Sequence, residues 1–226
     1  MIRFLPIVIA LVIGVIMYRV SVTRTRRELN ANSTELVDPQ LDAVTGKMAE
    51  VIGVPRIKVN IYEIEPINGL ADADGRIFIT RGFYRKFRSG EVSAEEMASV
   101  IAHEMGHVAL GHAKKRAIDF SGQNALRTAL AMMLSRFIPF IGGYIAAGLV
   151  SLLTARLSRN DEYEADAYAT ALLIKSGIGA GPQKTMFEKL EVMTGAAGSA
   201  MPAWLIGHPK PKQRIEAITK NEAKWS

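Results

Sequence analysis

The chain has 226 residues, of which 49% are hydrophobic and 22% are charged, and its formal net charge is +6. Its length fits one folded domain with an appendage, and its composition excludes both a disordered chain and a polytopic membrane protein. The absence of cysteine excludes disulfides, zinc sites with cysteine ligands and thiol nucleophiles. Five arginines precede the first acidic residue, Glu28, so the basic charge belongs to the N-terminus, where it favours a membrane surface over nucleic acid as a partner.

The N-terminus carries an uncharged apolar run at residues 4–18. As a helix, this run would span about 22 Å, and it can extend to Val22 if Arg19 places its charge at the membrane interface. A cleaved signal peptide is the competing interpretation, but no small-residue cleavage motif follows the run. We therefore expect residues 1–27 to form a single-pass membrane anchor with a basic flank.

The arginines around this run are distributed unequally. One precedes it and four follow it, so the positive-inside rule places the following domain on the cytoplasmic side, with an extracytoplasmic (periplasmic) domain as the alternative. A polar linker at residues 28–35 is expected to lead into a catalytic domain at residues 36–226.

The first part of this domain contains a helix and a small sheet. Apolar residues recur at helical spacing over residues 36–52, and Gly53 ends the pattern. Alternating residues predict strands at 57–64 and, after an Asp-Gly turn, at 76–80. Helical patterns dominate the rest, so the predicted class is α+β, mostly helical with a small sheet.

A buried helix with one charged residue follows the sheet. Ser93 and Glu96 form the pattern of a capping box, which predicts a helix from there to about residue 116. Between Met97 and Ala113 its one charged residue is Glu104, and apolar residues cover nearly every side, which is typical of a buried helix. A lone buried carboxylate costs several kcal/mol unless a partner compensates it, so Glu104 requires a functional explanation.

That explanation lies in residues His103 to His107, which spell H-E-x-x-H. On a helix the two imidazoles lie one turn apart on one face and can bind one zinc ion, while Glu104, rotated by about 100°, faces the open coordination position. There Glu104 can act as the general base that takes the proton of the attacking water. The alternative, two core histidines bonded to backbone carbonyls, leaves Glu104 unexplained.

A catalytic zinc site needs a third protein ligand. The H-E-x-x-H-x-x-G-x-x-H solution is absent, because leucine and alanine occupy the required positions, and we expect His112 at a helix end or on the surface. Downstream, Glu162 and Asp166 share one helical face. Glu162 can be the third ligand, and Asp166 can accept the second N–H of a ligand histidine. The alternative is that both acidic residues simply favour a helix N-terminus.

These motifs resemble the HtpX-like and CAAX prenyl protease family of membrane-associated zinc metalloendopeptidases, which combine H-E-x-x-H with E-x-x-x-D on a later helix. The resemblance covers roughly residues 36–220, with matching stretches at 66–82, 93–112, 158–166 and 208–215. It implies a gluzincin-type fold and one zinc ion per chain. It further implies that His103, His107 and Glu162 bind this ion, that Glu104 is the general base, and that Asp166 supports the ligands.

Further residues are candidates for contact with the substrate or with the developing oxyanion. A donor to the oxyanion is needed, and the available candidates are His208, Arg214, Tyr163 and Tyr168. Two prolines stiffen the loop of His208, which is also a candidate extra ligand or gate, while Arg214 is equally compatible with a solvated helix position. The resemblance adds Asn68 in an edge strand that binds substrate, although Gly69 and Leu70 stand where relatives often have alanine and phenylalanine.

A second apolar run occupies residues 137–155. A single membrane crossing there is excluded, because His107 and Glu162 must bind the same ion. Two crossings of about 20 residues each do not fit into residues 125–157. We expect residues 125–157 to form a broken helical hairpin, kinked near Pro139, Gly142 and Gly143, that covers the cleft as a lid or dips into the membrane surface.

The sequence therefore predicts a membrane-anchored, zinc-dependent metalloendopeptidase that acts on polypeptides. The resemblance implies a role in proteolytic quality control of misfolded or membrane-associated proteins. Maturation of a specific membrane-tethered protein is an alternative, and a chaperone-like protein with a structural zinc is another. The presence of Glu104 speaks against the last alternative.

Overall fold

The computed structural model describes residues 5–72, 74–112, 138, 142–195 and 210–225. Helices dominate these residues and a small sheet lies among them, as predicted for the α+β class. The elements in chain order are α1 (Leu5–Ala31), β1 (Ser33–Glu35), α2 (Pro39–Ile52), β2 (Val59–Tyr62), β3 (Gly69–Ala71), β4 (Ile77–Thr80), α3 (Arg81–Arg88), α4 (Ala94–Ala109), α5 (Gly142–Lys175), α6 (Gly181–Gly195) and α7 (Pro211–Trp225).

The four strands form a mixed sheet in the order β1-β2-β4-β3. β2 and β4 run parallel in the middle, while β1 and β3 pair antiparallel at the two ends. In β2 the buried residues Val59 and Ile61 alternate with half-buried ones, and every residue of β4 is buried. Both predicted strands are confirmed, each shorter than its sequence pattern, and β3 lies at one end of the sheet.

Capping groups fix the bounds of α2. Asp38 accepts hydrogen bonds from the backbone N–H groups of Gln40 and Leu41, and Gly53 ends the helix with φ of 73°. The predicted end at Gly53 is confirmed, whereas the start lies three residues later than predicted, because Asp38 caps the first turn in an extended conformation. One face of α2, including Met48, packs into the core with the sheet and α4.

α4 is the central element of the domain. The predicted capping box is present, since the N–H of Ser93 donates to Glu96 (2.8 Å) and the N–H of Glu96 donates to Ser93 (3.1 Å). The helix packs against α2, α5, α6, β3 and β4, and its predicted burial is confirmed. It ends at Ala109, earlier than predicted, because Gly111 adopts the left-handed conformation with φ of 70°.

The predicted linker after the N-terminal apolar run contains regular secondary structure. Residues 28–35, expected as a polar linker, contain the end of α1 and the strand β1, which pairs with β2. In the described part of the chain, no helix combines the length and the apolar character that a membrane crossing requires.

α5 is a helix of 34 residues. It begins at Gly142 and continues to Lys175, so part of the second apolar run belongs to the same helix as Glu162. Residues 113–137 and 139–141 lie outside the described residues, and the predicted hairpin at 125–157 therefore stays a prediction. α6 packs on α4, and α7 packs on both α5 and α6.

Candidate metal centre

Two histidines of α4 converge on one point. His103 and His107 lie one turn apart, with ring centroids 4.6 Å apart and ring planes nearly perpendicular. The Nε2 atoms of the two rings are separated by 3.1 Å, and both side chains are buried. The i, i+4 spacing thus places two imidazole nitrogens side by side, as the sequence predicts.

Glu162 of α5 adds a third donor. Its Oε2 lies 3.3 Å from Nε2 of His103, and its Oε1 lies 3.4 Å from Nε2 of His107. Two tetrahedral ligands with bonds of about 2.0 to 2.1 Å are separated by about 3.3 Å, and each of these pairwise distances is close to that value. The two histidines face different oxygens of Glu162, and one ligand atom from each of the three residues lies within 4.8 Å of the others. Two imidazoles and a carboxylate are also the donor set of catalytic zinc sites that keep one position open. The residues present therefore fit a zinc ion.

A close approach of α4 and α5 makes this arrangement possible. A Cβ atom added at Gly106 would lie 2.9 Å from both Cα and O of Ala165, so no larger residue fits between the two helices without displacing them. Ala165 follows Glu162 by less than one turn of α5. The contact at Gly106 therefore holds Glu162 against the two histidines, a packing role that the H-E-x-x-H motif alone does not reveal.

A buried carboxylate orients His103. The Oδ1 atom of Asp166 lies 2.9 Å from Nδ1 of His103, which leaves Nε2 of that ring for a metal. Asp166 also accepts hydrogen bonds of 2.7 Å from Nε and from Nη2 of Arg214. The guanidinium lies between the His103 ring, 3.2 Å from Nδ1, and the Phe187 ring, 4.2 Å from its centroid. Asp166 and Arg214 are both buried, and they hold the ring of His103 in place.

Opposing effects set the charges of this network. Burial alone would raise the pKa of Asp166, but Arg214 and His103 lower it below its ordinary value. Burial and Arg214 would lower the pKa of His103, but the contacts with Asp166 and Glu162 raise it to about 9. Asp166 is therefore ionised and accepts a hydrogen bond from the Nδ1–H group of His103.

His107 is supported by a different kind of residue. The turn at Gly111 brings His112 back against α4, and Nδ1 of His112 lies 3.0 Å from Nδ1 of His107. On its other side, Nε2 of His112 lies 3.1 Å from Oε2 of Glu164 and 3.8 Å from Oδ1 of Asp161. His112 is 2% exposed, so the expected position at a helix end is confirmed and the expected position on the surface is wrong.

A cleft opens beside the three donors. Glu104 and His103 line it from α4, and Asn68 and Gly69 line it from the start of β3. A Cβ atom added at Gly69 would lie 3.2 Å from Oε1 of Glu104, so the end strand and the candidate base are in direct contact. Thr80 fixes this strand, since its hydroxyl accepts the N–H of Asn68. The remaining lining is mostly apolar and includes Ile67, Phe83, Val100, Met186, Phe187 and Leu190.

The structure places most of the sequence-predicted site residues around one point. The three predicted ligands contact each other, Asp166 contacts His103, and Glu104 and Asn68 line the adjacent cleft. Arg214 lines the same cleft but is 2% exposed, which excludes the solvated alternative. His208 lies outside the described residues.

Two features of the site were missed by sequence reasoning. The first is the support of His107 by His112. The sequence signal for it is a histidine five residues after His107 together with acidic residues downstream, of which Glu164 contacts His112. The second is the apolar side of the cleft contributed by α6, including Met186 and Phe187. No sequence signal distinguishes these residues from ordinary core residues, because both are apolar at helical spacing.

Comparisons with known proteins identify the family of the chain. The family model of Peptidase family M48 matches residues 35–222. The chain is 30% identical over 187 residues to Metalloprotease LoiP of Escherichia coli (strain K12), covering 79% of this chain and 68% of that protein. It is 27% identical over 212 residues to Protease HtpX of Xylella fastidiosa (strain 9a5c), covering 79% and 71%. It is 24% identical over 180 residues to the mitochondrial Metalloendopeptidase OMA1 of Homo sapiens, covering 76% of this chain and 34% of that protein.

The matched range contains all described residues of the metal centre, from His103 to Arg214. The resemblance to HtpX-like proteases, inferred from the motifs, is therefore confirmed over most of the chain. The chain thus belongs to peptidase family M48 and is a metalloendopeptidase.

Proposed function

We propose that this protein hydrolyses peptide bonds at a single zinc site formed by His103, His107 and Glu162. The observation that carries the proposal is the convergence of three buried side chains from two helices, with one possible ligand atom from each within 4.8 Å of the others. A zinc ion bound there would lower the pKa of a water molecule and would polarise the scissile carbonyl.

Glu104 is the general base in this proposal. It follows His103 on the same helix, lines the cleft and contacts the end strand β3, so its carboxylate stands beside any peptide that lies along that strand. Glu104 takes the proton of the attacking water and delivers it to the leaving amine. Asp166 keeps His103 oriented, and Arg214 keeps Asp166 ionised and in place.

An extended polypeptide fits the cleft better than a folded surface. β3 lies at the end of the sheet, where a peptide can add as a further strand, and Asn68 and Gly69 stand at its start beside Glu104. The apolar lining from α4 and α6, including Val100 and Met186, supports a preference for an apolar side chain next to the scissile bond. Arg214 is already bonded to Asp166 through Nε and Nη2, which favours a supporting role over donation to an oxyanion.

The biological role in this proposal is proteolytic quality control at a membrane. Extended, apolar substrates are those that misfolded or membrane-associated proteins expose. The apolar run at residues 4–18 supports a single-pass anchor, and the arginines after it support a cytoplasmic catalytic domain. Protease accessibility of the C-terminus in intact cells and in spheroplasts tests the side of the membrane. Digestion in intact cells would contradict the cytoplasmic assignment.

Casein cleavage by the full chain with one zinc per molecule tests the hydrolytic function. Glu104→Gln should bind zinc normally and lose activity by a factor of about 10² to 10⁴, since it removes the general base. Glu95→Gln is the matched control, because Glu95 is an exposed glutamate in the first turn of the same helix. Equal activity of Glu104→Gln and wild type, or no cleavage by zinc-loaded wild type, would refute the proposal.

A further inference from the structure

The two ligand histidines are supported by chemically different partners. Nδ1 of His103 faces a carboxylate, Asp166, whereas Nδ1 of His107 faces another imidazole nitrogen, Nδ1 of His112, at 3.0 Å. His112 is buried, and Gly111 makes the left-handed turn that aims its ring at His107. The contact is therefore built by the backbone rather than made by a mobile surface side chain.

Metal binding fixes the protons along this contact. A neutral His107 that uses the lone pair of Nε2 for a metal carries its proton on Nδ1 and donates it. The acceptor is then Nδ1 of His112, which requires His112 to carry its own proton on Nε2. That second N–H faces the carboxylate of Glu164 at 3.1 Å, with Asp161 at 3.8 Å. Each contact in the series thus has one donor and one acceptor.

We propose that His112 is a positioning residue that fixes the tautomer and ring orientation of His107 and thereby increases the zinc affinity of the site. Residues that hold the second nitrogen of a ligand histidine typically contribute a factor of about 10 to 100 in metal affinity. This inference rests on His107 being a zinc ligand, as in the proposed function. It assigns to His112 a role that the H-E-x-x-H motif does not include.

A matched pair of substitutions separates positioning from packing. His112→Asn places its amide Oδ1 near the position of Nδ1 and keeps an acceptor for His107, whereas His112→Leu has nearly the same shape as asparagine and no acceptor. Leu110→Ala serves as a control in the same turn, because Leu110 is exposed and its apolar side chain cannot hydrogen-bond to a metal ligand. Urea unfolding in the presence of a chelator verifies that each variant is folded before zinc is added.

The measurements are zinc affinity by competition with a chromophoric chelator and the visible spectrum of the cobalt-substituted protein. His112→Leu should bind zinc about 10 to 100 times more weakly than wild type and show an altered cobalt spectrum. His112→Asn should stay within about threefold of wild type, as should Leu110→Ala. These readouts do not use hydrolysis, so a zinc-loaded wild type that fails to cleave casein would refute the proposed function and leave this inference standing.

Three results would overturn the inference. His112→Leu could bind zinc as tightly as wild type, which would show that the contact does not support His107. The zinc affinity of His112→Asn could be about 10-fold or more below that of wild type, which would show that an acceptor at this position is insufficient. This result is decisive even if His112→Leu does not fold. Wild type could bind two zinc ions and His112→Leu only one, which would make His112, Asp161 and Glu164 a second metal site.

Discussion

The buried pair of Arg214 and Asp166 gives the sharpest prediction about stability. Arg214 donates two hydrogen bonds of 2.7 Å to Asp166, and neither side chain is more than 2% exposed. Arg214→Leu would leave the Asp166 carboxylate buried beside His103 without its guanidinium. Each hydrogen bond to a charged group contributes about 1.5 to 3 kcal/mol, and breaking a buried pair by removing one partner costs about 3 to 5 kcal/mol. We expect a loss of about 3 to 5 kcal/mol in the free energy of unfolding.

The assay is urea unfolding of the full chain with chelator present, so that zinc binding does not contribute to the measured stability. The double variant Arg214→Leu with Asp166→Leu should be more stable than Arg214→Leu alone, because it leaves no uncompensated charge. It should nevertheless bind zinc at least about tenfold more weakly than wild type, since His103 has lost its orienting carboxylate. A cost below about 1 kcal/mol for Arg214→Leu, which is typical of an exposed ion pair, would refute this reasoning.

Three further predictions concern packing, acid stability and metal binding. Gly106→Ala should lower the free energy of unfolding in urea by about 1 to 3 kcal/mol, because the added methyl group meets the backbone of Ala165. Gly46→Ala on α2 is the control and should not lower it, because open space surrounds Gly46. Equal effects of the two substitutions would contradict this account. Burial alone would raise the pKa of Asp38, but hydrogen bonds from two side chains and two backbone N–H groups outweigh this effect and lower it. The charge of Asp38 therefore stabilises the fold near neutral pH, and this contribution is lost as the pH falls below about 4. The difference in unfolding midpoint between wild type and Asp38→Asn should therefore vanish in acid. Zinc must displace a proton from His103, whose pKa is about 9. The apparent zinc affinity, measured by chelator competition, should therefore rise about tenfold per pH unit between about pH 6 and pH 8. A zinc affinity that does not change with pH would contradict this.

The part of the site that the sequence predicts correctly is the part encoded by helical spacing. His103 and His107 are four residues apart, as are Glu162 and Asp166, and each pair lies on one face of its helix. The capping box at Ser93 gave the start of α4 for the same reason, since both partners lie within one turn. Local spacing therefore suffices where the interacting residues share one element.

The contacts between elements could not be predicted in this way. Arg214 follows Asp166 by 48 residues, and nothing in the sequence around Arg214 distinguishes a buried guanidinium from a solvated one. His112 was expected at a helix end or on the surface, rather than as a ligand, because it is one position out of register with a known third-ligand pattern. The turn at Gly111 instead directs it against His107. Backbone conformation at a single glycine decided that outcome, and helical periodicity carries no information about it.

The parts of the metal centre are far apart along the chain. His103 on α4 is separated by 111 residues from Arg214 on α7, and Glu162 on α5 lies between them. Contacts between residues far apart in the sequence are slow to form, because the entropy of closing long loops must be lost before these contacts stabilise the chain. We therefore expect a partly folded copy, with α7 not yet docked, to lack hydrolytic power. Newly synthesised copies of this protease would then be unable to digest one another before they reach the native state.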